Sequence, residues 1–178
     1  MRRVYLMGYM GAGKTTLGKA FAQRSGLSFI DLDYYIEGRF HKTVRQIFAE
    51  RGEEAFREIE RRMLHEVAEF EDVVISTGGG TPCFFDNIDF MNATGTTIYL
   101  NVSVQELVKR LELCKHTRPV LKDRSGEELM QFVAENLHKR EPFYKKAALL
   151  FEAEIMLTDE DVTQMAERLE QEIDRLTD

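Results

Sequence analysis

Cysteine is scarce in this chain of 178 residues, which contains only two, Cys83 and Cys114. They match neither a metal-ligand spacing nor a disulfide framework, so we expect a reducing, cytoplasmic location. Long apolar runs are missing as well, and no segment is apolar over the length needed to cross a bilayer. The first predicted strand begins almost at the N-terminus, which leaves no room for a signal peptide. We therefore expect no association with a membrane.

Positive charge is also in deficit, because 24 lysines and arginines face 31 aspartates and glutamates, for a net charge of -7. This balance argues against a nucleic-acid-binding surface. An anionic ligand would need cations concentrated locally, which makes the position of each arginine informative. The length and the hydrophobic content of 43% suit a single globular α/β domain.

A glycine-rich segment near the N-terminus is the strongest pattern. Residues 8–15 read Gly-Tyr-Met-Gly-Ala-Gly-Lys-Thr, which satisfies the P-loop motif, and they lie between a predicted buried strand and a predicted helix. Backbone N–H groups of such a loop converge on phosphate, and the helix N-terminus adds its own donors. Lys14 is then placed for the β- and γ-phosphates of ATP, and Thr15 for Mg²⁺. The alternative, a glycine-rich turn that binds nothing, explains less of this pattern and its context. The predicted nucleotide-binding residues of the loop are Gly11, Ala12, Gly13, Lys14, Thr15 and Thr16.

Two aspartates, Asp31 and Asp33, follow a short predicted strand at residues 28–30. The carboxyl end of a parallel strand faces the same crevice as the P-loop. Strand alternation would send both carboxylates to one side, where they suit a Mg²⁺ shell and a substrate hydroxyl. The alternative is that one of them only caps the next helix.

A mostly helical, charged insert spans about residues 33–69. We predict a capping box at Thr43 and Gln46, a break at Gly52, and then a second amphipathic helix. Arg57 and Glu60 lie three residues apart on that helix and can pair. From these residues alone, a surface salt bridge is the better interpretation of Arg57.

The second half of the chain adds a glycine turn, a cationic segment and a late proline. Gly78, Gly79 and Gly80 follow the third predicted strand, where they allow close approach of a ligand or form a tight turn. The segment at about 114–124 is either a solvated loop or a lid over phosphates. Pro142 predicts a kink that turns Arg140 inward. We place a capped helix after Ser125, a fifth strand at 153–157 and a final helix after Thr158.

Taken together, these segments resemble the shikimate kinase family nearly end to end. The resemblance rests on the P-loop together with five further segments in the same order. These are Phe29-Ile30-Asp31-Leu32-Asp33, Phe56-Arg57-Glu58-Ile59-Glu60, Ser76-Thr77-Gly78-Gly79-Gly80, Arg118-Pro119-Val120-Leu121 and Arg140-Glu141-Pro142-Phe143-Tyr144.

The resemblance implies a fold, a reaction and a set of roles. The fold is a P-loop NTPase of the nucleoside-monophosphate-kinase type, with a five-stranded parallel sheet, residues 1–178 forming one kinase domain. The reaction is transfer of the ATP γ-phosphoryl group to the 3-hydroxyl of shikimate by a cytoplasmic monomer. The implied substrate-binding residues are Asp33, Arg57, Gly78, Gly79, Gly80 and Arg140. The implied catalytic residues are Lys14, Asp33 and Arg118, and Thr15 and Asp31 serve Mg²⁺.

One departure from the family pattern concerns adenine. Family members often carry an arginine at the last strand–helix turn, where this chain has residues 157–160, Leu-Thr-Asp-Glu. We therefore assign the purine contact to Arg110, beside Arg118 on the phosphates. The competing hypotheses are a gluconate kinase, a nucleoside-monophosphate kinase and a nucleotide-binding module without activity.

Overall fold

The computed structural model describes residues 2–114, 121–154 and 156–177. A five-stranded, all-parallel sheet lies at its centre, with the strand order β2-β3-β1-β4-β5. The strands are β1 (Arg3–Met7), β2 (Ser28–Asp31), β3 (Val73–Ser76), β4 (Thr96–Asn101) and β5 (Leu149–Glu152). This arrangement confirms the predicted fold class.

Helices cover the sheet, as a parallel sheet with right-handed crossovers requires. They are α1 (Lys14–Ser25), α2 (Leu32–Phe40), α3 (Val44–Val67), α4 (Asn87–Thr94), α5 (Val104–Cys114), α6 (Gly126–Tyr144) and α7 (Asp159–Thr177), with a 3₁₀ turn at Thr81–Cys83. All four residues of β3 are buried, as are the last four residues of β1 and the four inner residues of β4. The strand order reverses around β1, so the crevice for a ligand opens above the carboxyl ends of the central strands.

The insert consists of α2 and α3, and its predicted signals are present. Thr43 and Gln46 form the reciprocal capping box at the start of α3. Gly52 interrupts the helix with φ 80° and ψ 173°, a conformation that favours glycine. The face predicted to be apolar is buried, so α3 packs against the core.

Two local predictions were wrong, and a third stays a prediction. The fifth strand is β5 at Leu149–Glu152, four residues earlier than predicted, because its ladder with β4 pairs Ile98 with Leu149 and Asn101 with Glu152. Helix α6 continues through Pro142 to Tyr144, and the kink expected at this proline stays a prediction. Ser125 stands at the N-cap of α6 without a side-chain cap. Instead, the Gly126 N–H donates to Glu112 Oε1 at 3.1 Å.

No helix in the described ranges combines the length and the apolar character that a membrane crossing needs.

Candidate active site

The P-loop lies between β1 and α1, and its lysine is held against the loop itself. Gly11 and Gly13 have φ values of 83° and 93°, a backbone region that side chains disfavour. Lys14 Nζ donates to the carbonyl oxygen of Gly8 at 2.7 Å and to that of Tyr9 at 3.0 Å. The ammonium group therefore lies at the edge of the loop that is expected to bind the anion.

Asp31 caps the next helix and also contacts the P-loop. Its Oδ2 accepts the Thr15 hydroxyl at 3.0 Å, which ties the second strand to the P-loop. Its Oδ1 accepts the Tyr34 N–H at 3.2 Å, so Asp31 also caps α2. Strand alternation does not place Asp33 beside Asp31, because β2 ends at Asp31 and Asp33 lies in the first turn of α2. That part of the reasoning was wrong, although both carboxylates line one cleft.

The environment of Asp33 makes its carboxyl unusually basic. Burial raises the pKa of Asp33 to about 6, and the negative charges of Asp31 and Glu60 act in the same direction. The Lys14 ammonium opposes these effects and lowers the pKa. A carboxylate with such a pKa is mostly ionised at neutral pH and is a better proton acceptor than an exposed aspartate.

The glycine turn after β3 is packed so closely that no Cβ fits without displacing a functional group. A Cβ on Gly78 would lie 3.1 Å from Asp33 Oδ1. On Gly79 it would lie 3.1 Å from a terminal guanidinium nitrogen of Arg140. On Gly80 it would lie 2.7 Å and 2.8 Å from the two terminal nitrogens of Arg57. The three glycines therefore let three charged side chains from separate helices converge on one turn.

Arg57 is a buried, ion-paired residue, so its interpretation as a surface salt bridge was wrong. Its side chain is 11% exposed, and a terminal nitrogen donates to Glu60 Oε1 at 2.9 Å, where Glu60 is only 1% exposed. The second oxygen of Glu60 accepts the Thr81 hydroxyl at 2.8 Å. A weaker contact joins Arg57 to the exposed Glu53 at 3.4 Å. The buried pair fixes Arg57 beside the glycine turn.

Arg140 reaches the same turn from α6. Its guanidinium carbon lies 5.5 Å from the centre of the Tyr9 ring in the P-loop. The Tyr144 hydroxyl, one helical turn further on, donates to the Gly79 carbonyl oxygen. Within the described part of the chain, Arg140 forms no salt bridge with a carboxylate. The expected inward orientation of Arg140 is present.

Arg110 is engaged with the protein on every side of its guanidinium. Its Nε donates to Glu106 Oε1 at 3.0 Å, and one terminal nitrogen lies 3.3 Å from two P-loop carbonyl oxygens, those of Gly11 and Ala12. The other terminal nitrogen donates to the carbonyl oxygens of Ala153 at 3.0 Å and Glu154 at 2.7 Å. Arg110 thereby joins the P-loop to the segment after β5.

The expected site residues lie around one cleft, apart from Arg118, which lies outside the described residues. The cleft has a volume of about 380 Å³. Its lining includes P-loop residues, both aspartates, two of the three glycines and Arg110. Arg57 and Arg140 contact the glycine turn at its edge. The P-loop therefore faces the two arginines, Arg57 and Arg140, and the Asp33 carboxylate of raised pKa lies between them. Phosphoryl transfer to an acidic acceptor needs this arrangement.

The shikimate kinase family model matches residues 10–170 of this chain. The chain belongs to the shikimate kinase family. It is therefore an ATP-dependent kinase, and the function and enzyme class that the resemblance implied are confirmed. The competing hypotheses of another metabolite kinase or an inactive module are set aside.

Individual relatives agree with the family match. A shikimate kinase of Parabacteroides distasonis is 75% identical over 169 residues, which are 95% of this chain and 98% of that protein. The crystal structure of shikimate kinase from Bacteroides thetaiotaomicron superposes with a TM-score of 0.95 at 54% identity, over 97% of this chain and 98% of that one. Shikimate kinase from Acinetobacter baumannii, in complex with shikimate, superposes with a TM-score of 0.82 at 32% identity, over 97% and 93% of the two chains.

Sequence reasoning missed several residues of the site. Glu60 was noted only as a possible partner of Arg57, yet it also holds Thr81 and raises the pKa of Asp33. Tyr9 and Tyr144 flank Arg140, and neither was singled out. Helical spacing could have indicated two of these residues, because Glu60 lies one helical turn from Arg57 and Tyr144 lies one turn from Arg140.

Proposed function

We propose that this chain transfers the γ-phosphoryl group of ATP to the 3-hydroxyl of shikimate. A bond forms between the hydroxyl oxygen and the γ-phosphorus, and the bond from that phosphorus to the β,γ-bridging oxygen breaks. ADP leaves with the electron pair of the broken bond, and the hydroxyl proton passes to a base or to solvent. We also propose the insert at about 33–69 as the substrate-binding part and the segment at about 114–124 as the lid.

The observation that carries the substrate assignment is the convergence of Arg57 and Arg140. Their terminal nitrogens approach the Cβ positions of the adjacent Gly80 and Gly79 to 2.7 Å and 3.1 Å. Two guanidinium groups on one turn suit a single carboxylate, because each offers a planar pair of donors. A neutral polyol has no group that requires such a pair. The acid group of shikimate fits, and the A. baumannii relative was solved with shikimate bound.

Asp33 is proposed to accept the hydrogen bond of the attacking hydroxyl. Its carboxylate lies against Gly78, beside the position proposed for the substrate carboxylate. Phosphoryl transfer through a loose transition state needs in-line orientation of the nucleophile more than it needs a strong base. A pKa of about 6 leaves Asp33 ionised at neutral pH and able to take the proton as the new bond forms.

The phosphates are proposed to lie on the P-loop amides, with Lys14 and Arg118 bound to their charged oxygens. Lys14 would exchange its two carbonyl contacts for the β- and γ-phosphates. Thr15 and Asp31 present oxygen atoms 3.0 Å apart, and a hydroxyl and a carboxylate are donors that Mg²⁺ accepts together with phosphate oxygens and water. Mg²⁺ would bind to Thr15 directly and to Asp31 in its outer shell, where it would neutralise developing phosphate charge.

The remaining assignments concern Arg110 and the lid. The described contacts of Arg110 support a role in shaping the loop, and its proposed contact with adenine uses only the face of its guanidinium. A lid at 114–124 would exclude water that otherwise hydrolyses ATP. The monomeric state, the cytoplasmic location and the lack of nucleic-acid and membrane partners stay predictions.

The experiment that tests the proposal is a coupled assay of ADP release with four acceptors at equal concentration. Shikimate should support turnover, whereas gluconate, AMP and the carboxamide analogue of shikimate should not. The carboxamide is the matched control, because it keeps the ring and the hydroxyls and removes only the negative charge. Equal turnover with shikimate and its carboxamide would overturn the carboxylate site.

A further inference from the structure

The segment that follows the glycine turn carries two adjacent phenylalanines that contact two arginines of one helix. The Phe84 ring centre lies 4.1 Å from the guanidinium carbon of Arg57, and the Phe85 ring centre lies 5.2 Å from that of Arg61. Arg57 and Arg61 are one turn apart on α3. Asp86 adds an ion pair to Arg61 at 2.7 Å.

The backbone explains how both rings reach the same helix. Phe84 is extended, with φ −118° and ψ 147°, and adjacent side chains of an extended chain point to opposite sides. Phe85 has φ 51°, in the left-handed region that a bulky residue rarely occupies. This conformation turns the chain so that Phe85 also faces α3. Such an outlier persists where surrounding contacts hold it, and here those contacts are to the arginines.

Of the three rings near the Arg57 guanidinium, Phe84 is the closest. Those of Phe56 and Phe48 lie at 5.3 Å and 5.8 Å. The Nε of Arg57 is buried and makes no hydrogen bond within the described residues, and one terminal nitrogen is bound to Glu60. The other terminal nitrogen makes only a longer contact, 3.4 Å, to the exposed Glu53, so these ion pairs fix the plane of the group weakly. The contact with an aromatic face restricts that plane, and binding through two parallel hydrogen bonds depends on it.

We propose that Phe84 is a positioning residue, which holds the guanidinium of Arg57 in the plane that binds the substrate carboxylate. This inference rests on the proposed carboxylate-binding role of Arg57. Phe85 has no such role, since its ring lies on Arg61. The structure therefore supplies a matched control, a neighbouring phenylalanine with the same type of contact on a different arginine.

The first test compares Phe84→Leu with Phe85→Leu and Phe84→Tyr in steady-state kinetics. Phe84→Leu should raise KM for shikimate by about threefold to thirtyfold, the range expected for a partly desolvated cation–π contact. Its kcat and its KM for ATP should stay within about twofold of wild type, the usual scatter of such effects. Phe84→Tyr keeps the ring and Phe85→Leu leaves Arg57 untouched, so both should resemble wild type. Phe84→Met replaces Phe84→Leu if the leucine variant fails to fold.

A double-mutant cycle separates positioning from direct contact with substrate. If Phe84 acts through Arg57, Phe84→Leu should not lower kcat/KM for shikimate further in an Arg57→Ala background. An equal loss in both backgrounds, or an unchanged KM in Phe84→Leu alone, would overturn the inference. If Arg57→Ala itself bound shikimate as tightly as wild type, the proposed carboxylate site would fail instead.

Discussion

The two sides of the cleft use arginine in opposite ways. On the nucleotide side, the guanidinium of Arg110 contacts Glu106 and four backbone carbonyl oxygens, which belong to the P-loop and to the segment after β5. On the substrate side, Arg140 has no carboxylate partner within the described residues, and Arg57 has one buried partner, Glu60.

The difference indicates where each side obtains its affinity for anions. Arg110 has its donors satisfied by the protein, so it braces the loop whose amides bind phosphate. Arg57 and Arg140 keep donors at the glycine turn, and those donors can bind a ligand. An arginine near a phosphate site is therefore not by itself a phosphate ligand, and its hydrogen bonds decide its role.

The largest expected effect is a loss of shikimate affinity in variants of the substrate side. Arg57→Lys and Arg140→Lys should each weaken shikimate binding by about 2–5 kcal/mol, because each leaves a carboxylate half-paired and lysine cannot replace the planar donor pair. The double variant should lose less than the sum of the two, since both residues bind one group. Calorimetry with shikimate measures this, and ATP affinity should be unchanged.

Arg61→Lys is the matched control for these variants, because Arg61 lies on the same helix and pairs with Asp86 instead. Its shikimate affinity should match wild type. Full additivity in the double variant would show that the two arginines do not share a carboxylate.

The second expected effect is a loss of kcat in a variant of the nucleotide side. Lys14→Ala should lower kcat by about 10²–10³, the usual effect of removing one preorganised charge donor from a transition state. Lys19→Ala is the control, because Lys19 lies exposed on the same helix. Rapid-quench measurement of the first turnover isolates the chemical step. A near-normal rate for Lys14→Ala would remove Lys14 from the catalytic residues.

The third expected effect is a difference in stability between an arginine variant of the nucleotide side and one of the substrate side. Arg110→Lys should lower the free energy of unfolding by about 1–3 kcal/mol, because a lysine cannot donate to all four of the carbonyl oxygens that Arg110 contacts. Arg140→Lys should change it by less than about 0.5 kcal/mol, since Arg140 has no salt bridge to lose. Urea unfolding of both variants measures the difference. Equal destabilisation would contradict the distinction drawn between the two sides.

The smallest effect concerns the carboxylate that lies between the two sides. Burial and the charges of Asp31 and Glu60 raise the pKa of Asp33 to about 6, so protonation removes its acceptor form below that pH. The value of kcat/KM for shikimate should therefore fall about tenfold per unit below pH 6 and level off above pH 7. A pH profile from 5 to 8 measures this, and a flat profile down to pH 5 would exclude Asp33 as the proton acceptor.

Much of the fold and of the site could be read from local sequence. The P-loop motif lies within eight residues, and its chemistry follows from backbone geometry that those residues impose. Strand β2 begins at the predicted residue, Ser28, and ends one residue beyond the predicted end, because it is a short apolar run between turn signals. The roles of Arg57 and Arg140 were predictable only through the family resemblance, since a single arginine on a helix has no distinctive pattern.

Tertiary contacts decided the position of the fifth strand and the roles of several side chains, which the local sequence pattern left ambiguous. Residues 149–157 are apolar or alternating throughout, and only pairing with β4 placed the strand at its first four positions. Asp33 reached the cleft from a helix because α2 begins at Leu32, directly after β2. Glu60 and Arg110 gained their roles from partners distant in sequence, Thr81 in one case and Ala153 and Glu154 in the other. The sequence thus determined the P-loop by itself, whereas the proposed acceptor site was assembled by long-range packing, because its charged groups come from separate helices that meet only in the folded chain.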